Sequence, residues 1–169
     1  MMTARGVPTI YYGDEQGFVS DGGDQDARET LFASQVAVYN DNDLIGTDRT
    51  TAQDNYNPDH PLYRAIRELN DLRKSSVALR RGRQIVRYSD EKDGLLVFSR
   101  FDAQSGEEVV VAINATDKAR VHNTIVNPDA VGFEAMRGTC APAVSVPGSY
   151  ALSVAPLDYV VCRTRKAAS

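Results

Sequence analysis

The chain has 169 residues, of which 42% are hydrophobic and 25% are charged, and its net charge at pH 7 is −4. This composition is typical of one globular domain, or of one domain with an appendage. No stretch of the sequence approaches the roughly 18 consecutive apolar residues that a membrane-spanning helix needs. The charge distribution disfavours nucleic-acid binding, because the basic residues are scattered and the N-terminal third is acidic.

The first recognisable element is a short apolar run at residues 7–12, rich in β-branched and tyrosine side chains. Gly13, Asp14 and Glu15 follow it and are typical of a turn. Because apolar side chains would point to both sides of this run, it predicts a strand buried on both faces. Such a strand needs neighbouring strands on either side.

A long polar stretch, residues 13–60, follows this strand and contains one helix-like island at residues 26–39. In the island, Asp26 and Glu29 resemble an N-terminal capping box, and apolar residues then recur at helical spacing. Long loops inside a compact domain are uncommon and often functional. We therefore expect residues that bind a ligand in this stretch.

The strongest helical pattern runs over residues 61–79. Pro61 suits the first turn, and Gly82 follows a basic last turn. The apolar residues recur at i, i+4, i+7 and i+10; they are Leu62, Ile66, Leu69 and Leu72. The pattern predicts an amphipathic surface helix whose apolar face packs on another element.

From residue 84 onward the apolar period changes to two, and turn residues separate the runs. This rhythm predicts a mainly β fold, an antiparallel Greek-key β-sandwich, with residues 107–114 as a mostly buried central strand. Residues 1–83 and 84–165 are predicted to be two domains. The eight apolar runs are 84–88, 94–101, 107–114, 120–126, 130–136, 143–146, 149–154 and 158–163.

Two cysteines, Cys140 and Cys162, lack the close pairing of a zinc or redox motif. They form one disulfide if the protein is exported, or remain as two buried thiols if it is not. The chain opens without the apolar region of a secretory signal. Cytoplasmic and exported or periplasmic locations both stay open.

Four segments resemble the alpha-amylase family, glycoside hydrolase family 13. Residues 4–15 (ARGVPTIYYGDE) are similar to its eighth barrel strand, residues 24–32 to the loop after that strand, and residues 60–74 to its eighth barrel helix. Residues 78–82 resemble the passage into the family's C-terminal domain. The resemblance implies a remnant of a catalytic (β/α)8 barrel in residues 1–83 and the C-terminal β-sandwich in residues 84–165.

The resemblance implies a parent enzyme that acts on α-glucosidic bonds, as a hydrolase or a transglycosylase. Its substrate would be an α-glucan, a maltooligosaccharide or a sucrose-like sugar. A retaining glycosidase needs two carboxyl groups about 5 Å apart, and the family carries its catalytic carboxylates on the fourth, fifth and seventh barrel strands. The sequence contains none of these strands, so we assign no catalytic residue and expect the chain to be inactive alone.

The candidates for substrate binding are Asp26, Arg28 and Phe32. Arg28 matches a family position where an arginine pairs with a barrel carboxylate at the sugar subsite; the alternative is a surface arginine at a helix start. Asp26 is either a sugar ligand or a helix N-cap. Phe32, like Tyr11, Tyr12 and Phe18, could offer an apolar face to a sugar ring, although core packing competes with this role.

No cofactor or metal site is predicted. Calcium binding is conceivable in the parent enzyme, but the spacing of Asp21, Asp24 and Asp26 does not match a calcium-binding loop. The expected macromolecular partners are the missing barrel portion and a second copy that pairs with the orphan strand; the alternative is that residues 7–12 are displaced from a strand position. An alternative function is a non-catalytic carbohydrate-binding or structural β-sandwich module; the lack of Trp counts against carbohydrate binding by that sandwich.

Overall fold

The computed structural model describes residues 1–20, 22–24 and 28–165. The chain divides into two units. The sandwich unit comprises Met1, Thr3–Gly6 and Leu72–Ser169, and the loop unit comprises Met2 and Val7–Asp71. In the part of the chain that is described, no helix has the length and apolar character to cross a membrane.

Seven antiparallel strands form two sheets in the sandwich unit, which confirms the predicted β-sandwich. Five strands pair in the order β1-β2-β3-β7-β5, and β4 pairs with β6 in the second sheet. The chain passes from one sheet to the other after β3, β4, β5 and β6. The strands are β1 (Arg83–Asp90), β2 (Leu95–Asp102), β3 (Glu107–Asn114), β4 (Arg120–Ile125), β5 (Phe133–Arg137), β6 (Ser149–Val154) and β7 (Asp158–Thr164).

The main core lies between the two sheets. Inward side chains of the five-stranded sheet, such as Val97 and Val110, pack with Tyr150 and Leu152 of the two-stranded sheet. The rings of Phe133 and Tyr150 are 4.1 Å apart. The hydroxyl group of Tyr150 donates to the carbonyl of Ala141, which satisfies the one polar group of this buried tyrosine.

A second, smaller core covers the other face of the five-stranded sheet. There Val109 and Val111 of β3 and Val161 of β7 pack against Ala78 and Leu79. Those two residues belong to α2 (Val77–Arg81), a short helix just before β1. The strand β3 is therefore covered on both faces, as its apolar run predicts.

Asn114, at the end of β3, ties several turns together. Its side-chain nitrogen donates to the carbonyls of Lys118, Val154 and Ala155 at 2.7, 3.4 and 2.9 Å. Its side-chain oxygen accepts from the backbone nitrogen of Thr116 at 3.0 Å. The side chain is buried, so these bonds replace its contacts with water.

The two cysteines form a disulfide. Cys140, in the loop after β5, is bonded to Cys162 of β7, and their Cα atoms are 5.8 Å apart. The two cysteines are 22 positions apart in the sequence, and the bond closes the loop between them. It settles, for this structure, the alternative that the sequence left open between a disulfide and two thiols.

The predicted helix over residues 61–79 is two helices. The first, α1 (Pro61–Ser75), ends at Ser75, and the extended backbone of Ser76 caps the start of α2. The Ser76 hydroxyl accepts from the backbone nitrogen of Leu79 and donates to the Glu107 carboxylate. This N-cap explains the break, because the cap requires a non-helical backbone at its own position.

The predicted strand at residues 7–12 is wrong, since these residues form no strand in the structure. No neighbouring strand bonds to their backbone in the described part of the chain. Val7 is 91% exposed, and Ile10, Tyr11 and Tyr12 are also exposed. An apolar run without pairing partners cannot satisfy its backbone groups as a strand.

The predicted helical island at residues 26–39 is also wrong in its described part, residues 28–39. Only Ala37–Tyr39 makes a 3₁₀ turn. The backbone nitrogen of Ser34 donates to Thr51, and that of Asn55 donates to Leu31, both at 2.8 Å. These cross-loop bonds use backbone groups that a helix would need for itself. The capping residue Asp26 lies outside the described residues.

The predicted strand at residues 143–146 is reduced to one bridge between Val146 and Ser149. Ser149 already begins β6, so the run forms only a tight turn before that strand. The short distance along the chain leaves no room for a second full strand.

Candidate functional site

A cavity of about 450 Å³ in the loop unit contains one of the three predicted binding residues. It combines three aromatic rings with two carboxylates and one guanidinium group. This mixture suits a ligand with both apolar and hydroxyl-bearing faces. The lining residues are Tyr11, Tyr12, Asp14, Phe18, Asp24 and Arg28.

A tight 3₁₀ turn, Asp14–Gln16, shapes one wall of the cavity. The Asp14 carboxylate accepts from the backbone nitrogen of Tyr11 at 2.9 Å. Gly13 has a φ of 95°, and a Cβ atom there would lie 2.5 Å from the Phe18 ring. The turn therefore requires glycine, both for its backbone conformation and for the close approach of Phe18.

The two tyrosine rings lie side by side, with centroids 4.5 Å apart and planes inclined by 38°. A hydrogen bond with Tyr11 raises the pKa of Tyr12, and partial burial adds to the effect. Tyr12 therefore stays a neutral phenol at neutral pH. Both rings are exposed, so their faces are accessible to a ligand.

Arg28 and Asp24, which both line the cavity, form an ion pair. The guanidinium nitrogen lies 3.1 Å from the carboxylate oxygen, and Nε also donates to the Asp24 carbonyl at 3.3 Å. The two side chains are 62% and 84% exposed, so this ion pair adds little to stability. Its polar atoms instead face solvent, where a ligand hydroxyl can reach them.

The structure separates the three predicted binding residues. Arg28 lines the cavity, whereas Phe32 is not among its lining residues and packs edge-to-face on Tyr56 at 5.5 Å. Asp26 lies outside the described residues. Sequence reasoning missed Asp14 and Asp24 as lining residues. The place of Asp14 just after the Tyr11–Tyr12 pair was the available signal for it, and Asp24 had no such signal.

The side chains that could ligate a metal ion do not cluster in the described part of the chain. Among the described residues, no group of three or more His, Cys, Asp or Glu side chains could hold a metal ion. His60 is buried, and its Nδ1 accepts from the backbone nitrogen of Leu62 at the start of α1. This arrangement gives His60 the role of a helix-start residue.

A larger cavity, of about 830 Å³, lies in the sandwich unit between the β2–β3 turn and the end of β7. Charged groups dominate it, and two of them, Glu134 and Arg163, pair with each other. The described residues that line it include no aromatic ring. It lacks the stacking surface of the first cavity, so we take the first as the candidate site.

No family model matches the chain. Two curated proteins are similar to it in sequence. An alpha-amylase of Streptomyces lividans is 53% identical over 114 residues, which are 68% of this chain and 12% of that protein. A beta/alpha-amylase of Paenibacillus polymyxa is 33% identical over 113 residues, 67% of this chain and 7% of that protein. The chain thus spans a small part of the curated relatives it matches.

Two solved structures share its fold over nearly the whole chain. A cyclomaltodextrin glucanotransferase with a three-domain ABC distribution has a TM-score of 0.64 at 21% identity and covers 98% of this chain, which spans 31% of that one. A cyclomaltodextrinase has a TM-score of 0.64 at 18% identity, with 97% of this chain and 24% of that chain covered. At these identities the likeness concerns the fold alone.

Proposed function

We propose that this chain, which belongs to the alpha-amylase family and matches the C-terminal region of its members, is part of a glycoside hydrolase or transglycosylase acting on α-glucosidic bonds. The 53% identity to an alpha-amylase carries this proposal. The substrate class is an α-glucan, a maltooligosaccharide or a sucrose-like sugar. In the proposed parent enzyme, residues 1–83 belong to the catalytic barrel and residues 84–165 form the C-terminal sandwich domain.

The cavity around Arg28 is the proposed contribution of this chain to substrate binding. The exposed rings of Tyr11 and Tyr12 present flat apolar surfaces, which suit the C–H face of a glucosyl ring. Arg28 and Asp24 supply hydrogen-bond donors and acceptors for its hydroxyl groups. Asp26 and Phe32 remain proposed binding residues for the same sugar.

The 169 residues alone are proposed to be inactive. Glycoside hydrolysis with retention requires a nucleophilic carboxylate and an acid on opposite sides of the bond, about 5 Å apart. We do not assign this pair to Asp14 and Glu15, which are adjacent in the sequence and whose carboxylates accept from the backbone nitrogens of Tyr11 and Gly13. The catalytic carboxylates would come from the barrel portion, which is the proposed partner of this chain.

The first test separates binding from catalysis on the isolated chain. Calorimetric titration with maltotriose should detect weak binding, while starch, maltooligosaccharides and sucrose should show no turnover above a buffer control. Arg28→Ala should weaken maltotriose binding about tenfold, through loss of charge-assisted hydrogen bonds. Arg64→Ala is the matched control, because Arg64 also forms an exposed ion pair in the loop unit, with Asp59.

Two outcomes would contradict the proposal. Turnover by the isolated chain would show that it carries catalytic groups of its own. Equal loss of binding in Arg28→Ala and Arg64→Ala would remove the sugar-binding role of the cavity.

A chimera tests the family role directly: the matching segment of the Streptomyces lividans alpha-amylase is replaced by that of this chain. A folded chimera should hydrolyse starch, and a folded but inactive one would argue for a structural module instead.

A further inference from the structure

The short segment Thr3–Gly6 belongs to the sandwich unit, although the loop unit separates it in the sequence from the rest of that unit. The chain leaves the sandwich unit after Gly6 and returns to it at Leu72. Apart from Met2, the loop unit is thus one excursion of the chain with two ends. The bonds that hold Thr3–Gly6 also hold the first of these ends.

Arg73 joins the two ends of the excursion. Its Nη2 donates to the carbonyl of Gly6 at 2.9 Å, and its Nη1 donates to the carbonyls of Leu79 and Ala4 at 2.8 and 3.4 Å. Gly6 is the last residue before the excursion, and Arg73 is the second residue after it. The planar guanidinium group has several donors in a fixed fork, which allows it to bond both ends at once.

Arg100, in β2, holds the same segment from inside the sandwich unit. Its Nη1 donates to the carbonyl of Thr3 at 3.0 Å, and its Nε and Nη2 donate to the carbonyl of Gly82 at 3.2 and 2.7 Å. The residue is 2% exposed. Burial lowers the pKa of Arg100, and the nearby charge of Arg73 lowers it further.

The burial of Arg100 is costly, because the groups that it bonds among the described residues are carbonyls and not carboxylates. An apolar side chain of similar size would avoid this cost. The stability of β2 therefore does not by itself account for an arginine at this position. What the arginine adds is the fixed position of the Thr3 and Gly82 backbones.

Each of residues 3–6 has one backbone group bonded to a side chain of the sandwich unit. The three carbonyl contacts are those of Arg73 and Arg100, and the backbone nitrogen of Arg5 donates to Oε1 of Gln84 at 2.8 Å. Holding the ends of a long excursion together removes conformations that a free chain would sample. Tyr11 follows Gly6 by only five positions, and Pro8 stiffens the connection between them.

We propose that Arg73 and Arg100 form an arginine clasp, which holds the two ends of the loop unit together and thereby positions Tyr11 and Tyr12 for the sugar. Both are positioning residues, because neither lines the cavity at Arg28. The part of the proposal that concerns sugar rests on the proposed function. The closing of the two ends does not.

Trypsin cleavage after Arg5 measures the hold on the segment, since a protease needs the backbone around the bond to be released. Arg73→Met keeps an unbranched side chain and loses the donors to Gly6 and Ala4. It should speed release of the N-terminal pentapeptide, residues 1–5, at least about fivefold, because opening the segment then breaks fewer bonds. Cleavage after the buried Arg100 in the same digest reports unfolding of the sandwich and should change less.

Arg81→Met is the matched control. Arg81 is an arginine of α2, and its guanidinium group bonds to Gln104 and pairs with Asp102, both outside residues 3–6. The variant removes the same charge and the same number of atoms. It should leave the rate of cleavage after Arg5 unchanged.

Calorimetric titration with maltotriose tests the positioning role. Arg73→Met should weaken maltotriose binding at least about twofold, the lower end of the effects that residues exert on a site they do not touch. Arg81→Met should bind maltotriose like the wild type. The whole 169-residue chain is used in both experiments.

The outcomes separate the clasp from the proposed function. Equal rates of cleavage after Arg5 in wild type and Arg73→Met would overturn the clasp. An equal acceleration after Arg5 and after Arg100 would also overturn it, because Arg73 would then support only the global fold. Faster cleavage after Arg5 with unchanged maltotriose affinity would overturn the positioning role. If the wild-type chain does not bind maltotriose, the proposed function fails, and cleavage after Arg5 still decides the clasp.

Discussion

The fold buries the carboxyl group of Glu29. It is 1% exposed, and neither of its oxygens has a hydrogen-bond partner in the described part of the structure. Desolvation raises its pKa above the ordinary value, and the nearby charge of Asp41 raises it further. A buried carboxyl group without donors is more stable as the neutral acid.

This burial makes stability depend on pH. The folded state holds the Glu29 proton more tightly than the unfolded state, so the free energy of unfolding falls as pH rises from the ordinary value of 4.5 through the folded-state pKa. Below 4.5 both states are protonated and the dependence vanishes. Glu29→Gln should remove this fall and raise the free energy of unfolding at pH 7 by about 1 kcal/mol.

Urea unfolding followed by tyrosine fluorescence at pH 4, 5.5 and 7 measures the effect, with about 0.5 kcal/mol as the smallest useful difference. Glu91→Gln removes one exposed carboxylate and controls for the change in net charge. If Glu29→Gln and wild type keep a constant difference at all three pH values, the burial of an ionisable group is not the cause.

At the scale of single elements, the turn between β6 and β7 carries backbone strain. Leu157 has a φ of 49°, and it is the one described residue other than glycine with a positive value. Its side chain is 75% exposed, so no packing compensates for the strain. The left-handed conformation costs a residue with a Cβ atom about 1 kcal/mol.

Leu157→Gly should therefore raise the free energy of unfolding by about 0.5 kcal/mol, the relief of strain less the extra entropy of glycine in the unfolded chain. Leu157→Ala is the matched control. It shortens the same exposed side chain and keeps the Cβ atom that causes the strain. Urea titration of both variants gives the answer, and an equal gain in the two would assign the effect to the lost side chain.

At the scale of the whole molecule, the disulfide limits the freedom of the unfolded chain. Cys140 and Cys162 are 22 residues apart, and cross-linking such a loop stabilises a fold by about 3 kcal/mol in the chain-entropy model. Unfolding in urea with and without dithiothreitol should show that difference. The double variant Cys140→Ala/Cys162→Ala should be insensitive to the reductant. Equal stability of the oxidised and reduced wild type would contradict the prediction.

The sandwich was predictable because its strands carry their pattern locally. In β3, residues Val109 to Ala112 are fully buried on alternating faces, and the apolar run alone indicates this. The irregular elements were not predictable in the same way. The backbone of residues 31–34 bonds to residues 51–55, and such distant partners leave no periodic trace in the sequence. Ser76 breaks a continuous helical pattern through one side-chain cap.

The candidate site was predictable only through single residues. The resemblance to the family selected Arg28, and the structure puts this residue in the aromatic cavity. Its ion pair with Asp24 was not predicted from the sequence. Phe32 has the same residue type as Phe18, yet only Phe18 lines the cavity, because Gly13 lets its ring approach.

The amide of Asn114 has a consequence for chemical ageing. Its nitrogen donates to three carbonyl groups, so loss of ammonia from this one side chain would place a carboxylate oxygen against three carbonyl oxygens. An acceptor would then stand in the position of a donor, inside the protein. Burial within folded turns keeps the backbone from the geometry that this reaction needs. Deamidation of Asn114 and unfolding of the sandwich are therefore coupled, because unfolding exposes the amide group that the refolded protein needs.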